Sequence, residues 1–230
     1  FSATKSFTGT AWGLLLHDSR EGRLPGGQSV GLDSPAYSFI PEGYPLTDPR
    51  KERITIRHLL TLTSGIPGEA SGVYGTPTAT EHGPFEHALG FCPNRIGKWV
   101  DKLVAEPGTH WEYSDPAMSH LALAFANIMG QEMSDCLQER VFEPIGIENL
   151  SWDVHGGSGF MGPHSNAHTG IHVSARELAR FGYLMLHNGV WNGRQLVPEW
   201  WIKLASQSSQ EMCPTYGHTW WVNAKGRKWP

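Results

Sequence analysis

The chain has 230 residues, of which 39% are hydrophobic and 17% are charged, and its formal net charge is −4. These values are typical of a globular protein with ample core, built as one large domain or two closely packed ones. No block of like charges occurs, which argues against a nucleic acid or other polyanion as partner, because phosphate binding needs a clustered basic face. The segment that comes nearest to a basic cluster, residues 225–228, is better interpreted as a solvated turn.

The cysteines and the apolar runs exclude two further classes of protein. Three cysteines occur, none of them in a C-x-x-C pair: Cys92, Cys136 and Cys213. An odd number allows at most one disulfide beside a free thiol, which excludes a disulfide scaffold but leaves the redox compartment open. No apolar run approaches the ~18 residues of a membrane span. No signal peptide is visible, and we expect a sequence that begins directly at Phe1 to be cut rather than natural.

The first quarter of the chain predicts two helices separated by a long connection. Apolar and small residues recur at helical spacing over 4–17, and Ser2 can cap or begin this helix. Glycine and proline are frequent over 19–50, which favours a surface connection. Residues 54–63 predict a short amphipathic helix that stops at the following S-G-I-P.

The middle of the chain predicts three helices between two loops. Few periodic apolar residues occur over 68–95, which we interpret as a long loop beside a functional face. Helical patterns follow at 96–106, 117–129 and 134–142, and the second of these is strongly apolar. Residues 151–172 are rich in glycine and are predicted to be loop.

The C-terminal part predicts two further helices and one strand. Ser174 and Glu177 form a capping box at the start of a helix that runs to about His187. Pro198 takes the favoured first position of another helix. Residues 216–223, YGHTWWVN, are aromatic and β-branched enough to form a strand. A lone strand leaves backbone groups without partners, so we expect the rest of its sheet to lie beyond both ends of the sequence.

The first candidate for chemistry is the S-x-x-K formed by Ser2 and Lys5. Residues three apart share one face of a helix, so the hydroxyl and the ammonium would lie side by side. The N-terminus of a helix favours negative charge developing on the serine oxygen. A buried lysine can accept a proton or stabilise the alkoxide. This spacing is common by chance, however, and a helix cap followed by a solvated lysine is the usual explanation.

The second candidate is Tyr113, in the segment PGTHWEYSD at 107–115. This segment is a predicted loop that leads into a buried helix, which is a rigid place from which to present a side chain. A tyrosinate beside a lysine ammonium can act as a general base, because the positive neighbour lowers the pKa of the phenol. Ordinary aromatic packing is the alternative for Tyr113.

Five segments in a fixed order resemble one enzyme family. They are SATK at 2–5, ITIRHLLTLTSGIP at 54–67, PGTHWEYSD at 107–115, HVSARELARFGYLMLHNGVWNG at 172–193 and YGHTWWV at 216–222. Together they resemble the class C β-lactamase and esterase-like branch of the penicillin-recognising serine hydrolases. The resemblance implies an α+β, β-lactamase/transpeptidase-like fold, truncated here at both ends. A mainly helical domain would cover 1–170 and part of an antiparallel sheet domain 171–230, with the site in the cleft between them.

The resemblance also implies roles for individual residues. Ser2 would be the acylated nucleophile, Lys5 its charge partner and Tyr113 the proton shuttle. Asp115 stands where β-lactamases of this class carry an asparagine that contacts the lysine and the substrate. An aspartate favours the ammonium form of Lys5, and it moves the expectation from a β-lactamase towards an esterase or peptidase. A competing alignment takes S-D-P at 114–116 as a broken S-D-N motif.

The family's third motif, K-T-G or H-x-G on a strand, has two weak candidates in this chain. The H-T-G at 168–170 lies just before a helix, and the H-T-W at 218–220 lacks the glycine that lets a substrate approach. We interpret neither as the third motif and expect it after Pro230. The paired Trp220 and Trp221 are candidates for lining a substrate cleft, although such residues are more often core.

Metal and cofactor sites are not predicted. Two groups are spaced regularly enough to be considered as metal ligands: His82, His87 and Cys92, and His164, His168 and His172. Neither matches a ligand motif such as H-E-x-x-H, so scattered surface histidine is the better interpretation.

The sequence therefore predicts a serine hydrolase that acts through an acyl-enzyme. A carboxylesterase or a D-amino-acid peptidase-like amidase comes first, with a class C-type β-lactamase and a silent peptide- or peptidoglycan-binding relative as alternatives. The expected partner is a small-molecule ester, amide or lactam. The resemblance favours a periplasmic or secreted location, and the oligomeric state stays open.

Overall fold

Two long buried helices form the centre of the part of the chain that the structure describes. The computed structural model describes residues 1–74, 83–156 and 161–223. Its α-helices are α1 (Thr4–Arg20), α2 (Ile56–Leu60), α3 (Pro84–Leu89), α4 (Asp115–Met129), α5 (Met133–Leu137), α6 (Ala175–Leu186) and α7 (Glu199–Ala205). Short 3-10 turns cover Pro25–Gly27, Ala36–Phe39, Pro41–Gly43 and Pro49–Arg53, and a π-helical turn covers Gln138–Phe142. Within these ranges, no helix is both long and apolar enough to cross a bilayer.

The core lies between α1 and α4. Both helices are buried along most of their length, and Trp12 of α1 meets Phe125 of α4 edge to face, with ring centroids 6.0 Å apart. Full burial of an aromatic or branched side chain contributes about 1.5–3 kcal/mol. This pair of helices therefore fixes the residues at their N-terminal ends, where Lys5 and Asp115 lie.

Short antiparallel strand pairs surround a loop that returns to α1. In the described ranges, β1 (Ser151–Trp152) pairs with β4 (Ile171–His172), β2 (Val154–His155) with β3 (His164–Ser165), and β5 (Val190–Trp191) with β6 (Arg194–Gln195). The loop between β3 and β4 is anchored on α1 by two hydrogen bonds. Thr8 Oγ1 donates to Ala167 O over 2.8 Å, and Ile171 N donates to Thr4 Oγ1 over 3.1 Å.

Several predicted helices are confirmed. The first begins at Thr4 and continues to Arg20, and the apolar helix of the middle region is α4. The capping box at the start of α6 is present in both directions. Glu177 N donates to Ser174 Oγ over 3.3 Å, and Ser174 N donates to Glu177 Oε2 over 3.1 Å. These elements have both a strong apolar pattern and a terminus signal in the sequence.

The helix predicted at 96–106 is wrong. The segment consists of turns and bends, and its backbone bonds to other parts of the chain. Asn94 Oδ1 accepts the N–H groups of Ile96 and Lys98, and Val104 N donates to Gly65 O over 2.9 Å. An asparagine side chain that satisfies backbone groups locally competes with a helix.

Other boundaries differ from the prediction in smaller ways. The helix predicted at 54–63 is shorter than expected: only α2 is helical, and Leu62, with a φ of 56°, cannot continue it. The predicted loop at 68–95 contains α3, and the helix predicted at 134–142 divides into α5 and the π-helical turn. The predicted loop at 151–172 contains β1 to β4.

The strand predicted at 216–223 is also wrong. Residues 216–221 form a turn closed by a single antiparallel bridge between Tyr216 and Trp221. Gly217 N donates to Trp220 O over 2.8 Å, and Thr219, with a φ of 66°, donates its N–H to Leu60 O. The aromatic residues are held by this turn rather than by a sheet. The domain boundary near residue 170 stays a prediction.

Two glycines one helical turn apart let α1 pack closely against its neighbours. A Cβ atom at Gly9 would lie 1.9 Å from Thr219 Oγ1, and one at Gly13 would lie 2.2 Å from Trp201 Cδ1. Trp201 belongs to α7 and is 1% exposed, so its ring has no free space to move into. The absence of side chains at these two positions therefore sets the distance between α1, α7 and the 216–221 turn.

We expect Gly13→Ala to destabilise the protein by about 1–3 kcal/mol, the cost of overpacking a closed core. The matched control is Gly182→Ala in α6, where a new Cβ would have no atom within 4 Å. That change should stabilise by about 0.4–1 kcal/mol, since alanine is the better helix former. Urea unfolding midpoints compare the two variants, and equal shifts in the same direction would contradict the close-packing argument.

Candidate active site

Ser2 and Lys5 lie side by side, as the S-x-x-K spacing predicts. Ser2 belongs to the helical turn that leads into α1, and its carbonyl accepts the N–H of Lys5 over 3.1 Å. Lys5 Nζ donates to Ser2 Oγ over 3.1 Å. No side chain caps the N-terminus of α1. The serine hydroxyl is thus directed at the lysine and does not serve as a helix cap.

Lys5 is buried and fully engaged. Its side chain is 2% exposed, and Nζ forms an ion pair with Asp115 Oδ1 at 2.7 Å. The same nitrogen donates to the main-chain oxygen of His168 over 3.2 Å. Nζ also lies 4.5 Å from the centroid of the Tyr113 ring, a cation–π contact. A buried ammonium with this set of neighbours is held in one place beside the Ser2 hydroxyl.

Asp115 stabilises this arrangement from the first turn of α4. Ser114 caps the helix, since its Oγ accepts the N–H of Ala117 over 3.2 Å, and a carboxylate in the first turn interacts favourably with the helix dipole. Burial alone raises the pKa of Asp115, but the nearby His168 ring and the Lys5 ammonium together hold that pKa well below its usual range. Asp115 is therefore ionised at neutral pH.

Two of the five family-like segments, 54–67 and 107–115, are hydrogen-bonded to each other. Gly108 N donates to Thr63 O over 2.7 Å, and Glu112 N donates to Leu62 O over 3.0 Å. The buried Glu112 carboxylate in turn accepts the N–H of Gly68 over 2.9 Å.

The chain between these two segments begins and ends at neighbouring points of the structure. Glu69 N donates to Tyr113 O at its start, and Val104 N donates to Gly65 O near its end, each over 2.9 Å. Tyr113 is therefore presented by a loop whose backbone is fixed on both sides.

Aromatic rings form the wall beside Ser2 and Lys5. Tyr113 stacks on Trp221 with ring centroids 5.9 Å apart, and Tyr216 meets both rings edge to face. A cavity of about 340 Å³ is lined by these three residues together with Ser2, Lys5, Thr219 and Trp220. A wider cleft of about 700 Å³, with Trp111 and Met212 in its lining, shares Tyr113 and Trp221 with it.

The structure brings together all six residues singled out in the sequence. Ser2, Lys5, Tyr113, Trp220 and Trp221 line the smaller cavity, and Asp115 reaches it through Lys5. The contact of Lys5 with Tyr113 is made on the ring face. Catalytic hydrogen bonds often form only when substrate is bound.

His168 is the residue that sequence reasoning missed. Its ring nitrogen Nδ1 lies 3.3 Å from Asp115 Oδ2, whereas Lys5 binds the other carboxylate oxygen, Oδ1. Nδ1 forms no hydrogen bond in the described part of the chain, so the contact with Asp115 is electrostatic. The H-T-G letters drew attention to position 168, but no local sequence signal indicates that this residue meets Asp115, which lies 53 positions earlier in the chain.

The histidines suspected of binding metal are separated. His164 pairs with Glu132, His168 with Asp115 and His172 with Asp153. His87 contacts Cys92 O over 3.1 Å through Nδ1, and His82 lies outside the described residues. Across residues 1–74, 83–156 and 161–223, no group of three or more His, Cys, Asp or Glu side chains is placed to hold a metal ion.

Comparison with known proteins places this geometry in a family. The D-alanyl-D-alanine-carboxypeptidase/endopeptidase AmpH of Escherichia coli K12 is 27% identical over 128 residues, which are 54% of this chain and 31% of that protein. The penicillin binding protein from Bacillus halodurans superposes with a TM-score of 0.65 at 15% identity, over 95% of this chain and 68% of that one. EstCE1, a hydrolase with promiscuous acyltransferase activity, does so with a TM-score of 0.64 at 17% identity, over 95% and 67%.

These likenesses differ in what they establish. The chain spans about a third of AmpH, and the two superpositions, at under 25% identity, show a shared β-lactamase/transpeptidase-like fold alone. The model of the beta-lactamase family, in contrast, matches residues 1–229. The match covers nearly the whole sequence, and the chain therefore belongs to the beta-lactamase family, whose members are serine hydrolases.

Proposed function

We propose that this protein is a serine hydrolase that cleaves an ester or amide bond through an acyl-enzyme on Ser2. The observation that carries the proposal is the contact between Ser2 Oγ and the buried Lys5 ammonium, which Asp115 holds in place. A serine hydroxyl is a weak nucleophile until a neighbouring group takes its proton or stabilises its alkoxide. A cation fixed 3.1 Å from the hydroxyl oxygen supplies that stabilisation.

The proposed reaction has two steps. Ser2 Oγ attacks the carbonyl carbon, its proton passes to the phenolate oxygen of Tyr113, and the positive charge of Lys5 stabilises the alkoxide as it forms. The proton then moves to the leaving alcohol or amine as its bond to the acyl carbon breaks. Water attacks the acyl-enzyme by the same route and releases the acid and free Ser2. Tyr113 takes the role of base because the ionised Asp115 keeps Lys5 in its ammonium form.

The aromatic walls support an ester or amide substrate with an apolar group. Tyr113 and Trp221 line both the cavity beside Ser2 and the wider cleft, so a substrate can occupy the two together. Large apolar clefts with few polar groups are typical of small-molecule sites. AmpH by its name cleaves D-alanyl peptide bonds, and EstCE1 is a hydrolase with promiscuous acyltransferase activity, so similar proteins transfer acyl groups.

A β-lactamase is the second candidate, favoured by the family to which the chain belongs. Asp115 argues against a β-lactamase, because its carboxylate places negative charge where a β-lactam substrate would bring a carboxylate of its own. A silent relative that only binds a peptide or peptidoglycan fragment is the third candidate, and the experiments below separate all three.

We expect a fluorophosphonate probe to label the wild-type protein and to leave Ser2→Ala unlabelled. The matched control is Ser6→Ala, four residues further along the chain, whose hydroxyl donates to Thr219 O over 3.3 Å. This variant should be labelled as the wild type is. Equal labelling of wild type and Ser2→Ala, with mass spectrometry finding the adduct elsewhere, would refute Ser2 as the nucleophile.

Tyr113→Phe removes the proposed base and keeps the ring that contacts Lys5 and Trp221. We expect kcat for p-nitrophenyl butyrate to fall by about 10²–10⁴-fold, the usual contribution of a general acid–base, with little change in the unfolding midpoint. The control is Tyr183→Phe, at a half-exposed tyrosine of α6 that stacks on His187, and it should keep full activity. Undiminished turnover in Tyr113→Phe would exclude the phenol as proton shuttle.

Asp115→Asn tests the choice between ester and lactam. Removal of the carboxylate lowers repulsion of an anionic lactam while it affects a neutral ester less. We expect the ratio of kcat/KM for nitrocefin to that for p-nitrophenyl butyrate to rise by about tenfold, which corresponds to ~1.4 kcal/mol. A wild-type protein that already prefers nitrocefin would decide for the β-lactamase.

A further inference from the structure

The imidazole of His168 lies directly behind the Lys5–Asp115 pair, and the proposed reaction does not use it. His168 sits on the loop between β3 and β4, and its side chain is 4% exposed. Both ring nitrogens are buried and form no hydrogen bond within the described part of the chain. An unpaired buried polar group costs stability, and such a group beside a reactive pair is a candidate for a functional role.

His168 contacts the pair at two points. Its main-chain oxygen accepts from Lys5 Nζ over 3.2 Å, and its ring nitrogen Nδ1 lies 3.3 Å from Asp115 Oδ2. The other carboxylate oxygen, Oδ1, binds Lys5 at 2.7 Å. One carboxylate is therefore shared between an ammonium and an imidazole. Because the contact with the ring is electrostatic, its strength depends on whether that ring carries a proton.

The neighbouring His155 is neutral, because one of its ring nitrogens accepts a hydrogen bond from Asn166. Asn166 Oδ1 accepts the N–H groups of His168 and Thr169, over 3.2 and 3.1 Å. The amide nitrogen Nδ2 is thereby directed at His155 Nε2, 2.6 Å away. An amide NH₂ only donates, so Nε2 of His155 accepts and carries no proton. Burial, followed by the proximity of His168, also lowers the pKa of His155 to about 4.

The groups that face His168 act on it in opposite directions. Asp115 from α4 favours a protonated ring, whereas Lys5 from α1 disfavours it. His155 from β2 meets the His168 ring edge to face with centroids 5.0 Å apart, and it adds no charge while it is neutral. The negative charge of Asp153, next to β2, raises the pKa of His155 and only partly offsets the effect of burial. Histidine is the side chain that ordinarily changes charge between pH 5 and 8.

We propose that His168 is a positioning residue that sets how firmly Asp115 holds Lys5 beside Ser2. With a neutral ring, the carboxylate serves Lys5 alone. When the ring takes up a proton from solvent, it attracts the same carboxylate, and the hold on Lys5 weakens. Hydrolysis then declines on the acidic side. This inference rests on the proposed roles of Ser2 and Lys5, but the coupling among the three side chains can be measured without any turnover.

The first test is an NMR titration of the histidine ring protons. His168→Asn identifies the signal of His168 by its loss. We expect the midpoint of that signal to move to lower pH in Asp115→Asn and to higher pH in Lys5→Gln, by about 1 pH unit or more, as for charges 4–6 Å apart. His172→Asn, at an exposed histidine of the same segment, should leave the midpoint in place. Unchanged midpoints in Asp115→Asn would overturn the proposal.

The second test compares pH profiles of kcat/KM for p-nitrophenyl butyrate. The amide of His168→Asn can donate to Asp115 but cannot titrate, so we expect this variant to keep activity at neutral pH within about threefold and to lose the acidic decline. His168→Leu, which cannot attract Asp115 at any pH, should also lose the acidic decline, with little change in KM. The same acidic decline in wild type and His168→Asn would contradict the positioning role.

The two tests also separate this inference from the proposed function. A purely structural role for His168 would lower activity by the same factor at every pH and would leave the shape of the profile intact. Failure of the fluorophosphonate probe to label Ser2 in the wild type would refute the proposed hydrolase. The NMR titration would still decide whether His168 is coupled to Asp115 and Lys5.

Discussion

The ion pair between Lys5 and Asp115 is the interaction on which the rest of the site depends. It joins the N-terminal ends of α1 and α4, two helices whose packing forms the core. Taking two charges out of water is costly, and such a pair is retained only where its geometry is good and further hydrogen bonds satisfy it. Ser2, Tyr113 and His168 all meet this pair. The core thus fixes the position of the ion pair, and the ion pair contacts each of the candidate catalytic side chains.

Much of this arrangement could be predicted from the sequence, because it depends on local patterns. The spacing of Ser2 and Lys5 implies contact on any helical turn, and the S-x-x-E at Ser174 marks the start of α6. The loop that presents Tyr113 was recognisable from its turn and from the apolar helix after it. In each case the interacting residues are near each other in the chain, or the residues of the motif themselves favour the turn or helix start that is observed.

The parts that could not be predicted depend on distant partners. The helical pattern over 96–106 gives no indication that Val104 donates to Gly65, about 40 residues earlier, while Asn94 satisfies the N–H groups at the start of the segment. The aromatic run at 216–221 has strand propensity, but Thr219 bonds to Leu60, and the segment folds as a turn. The position of His168 beside Asp115 results from the packing of the β3–β4 loop on α1, which no local rule contains.

The excursion between Gly65 and Tyr113 leaves and returns at one fixed point. Glu69 is tied to Tyr113 at its start and Val104 to Gly65 near its end, so main-chain hydrogen bonds hold the backbone that presents the tyrosine. Substitutions at exposed side chains between these ties leave the bonds in place. Exposed positions such as Ile96 and Trp99 can therefore vary while Ser2, Lys5 and Tyr113 keep their spacing.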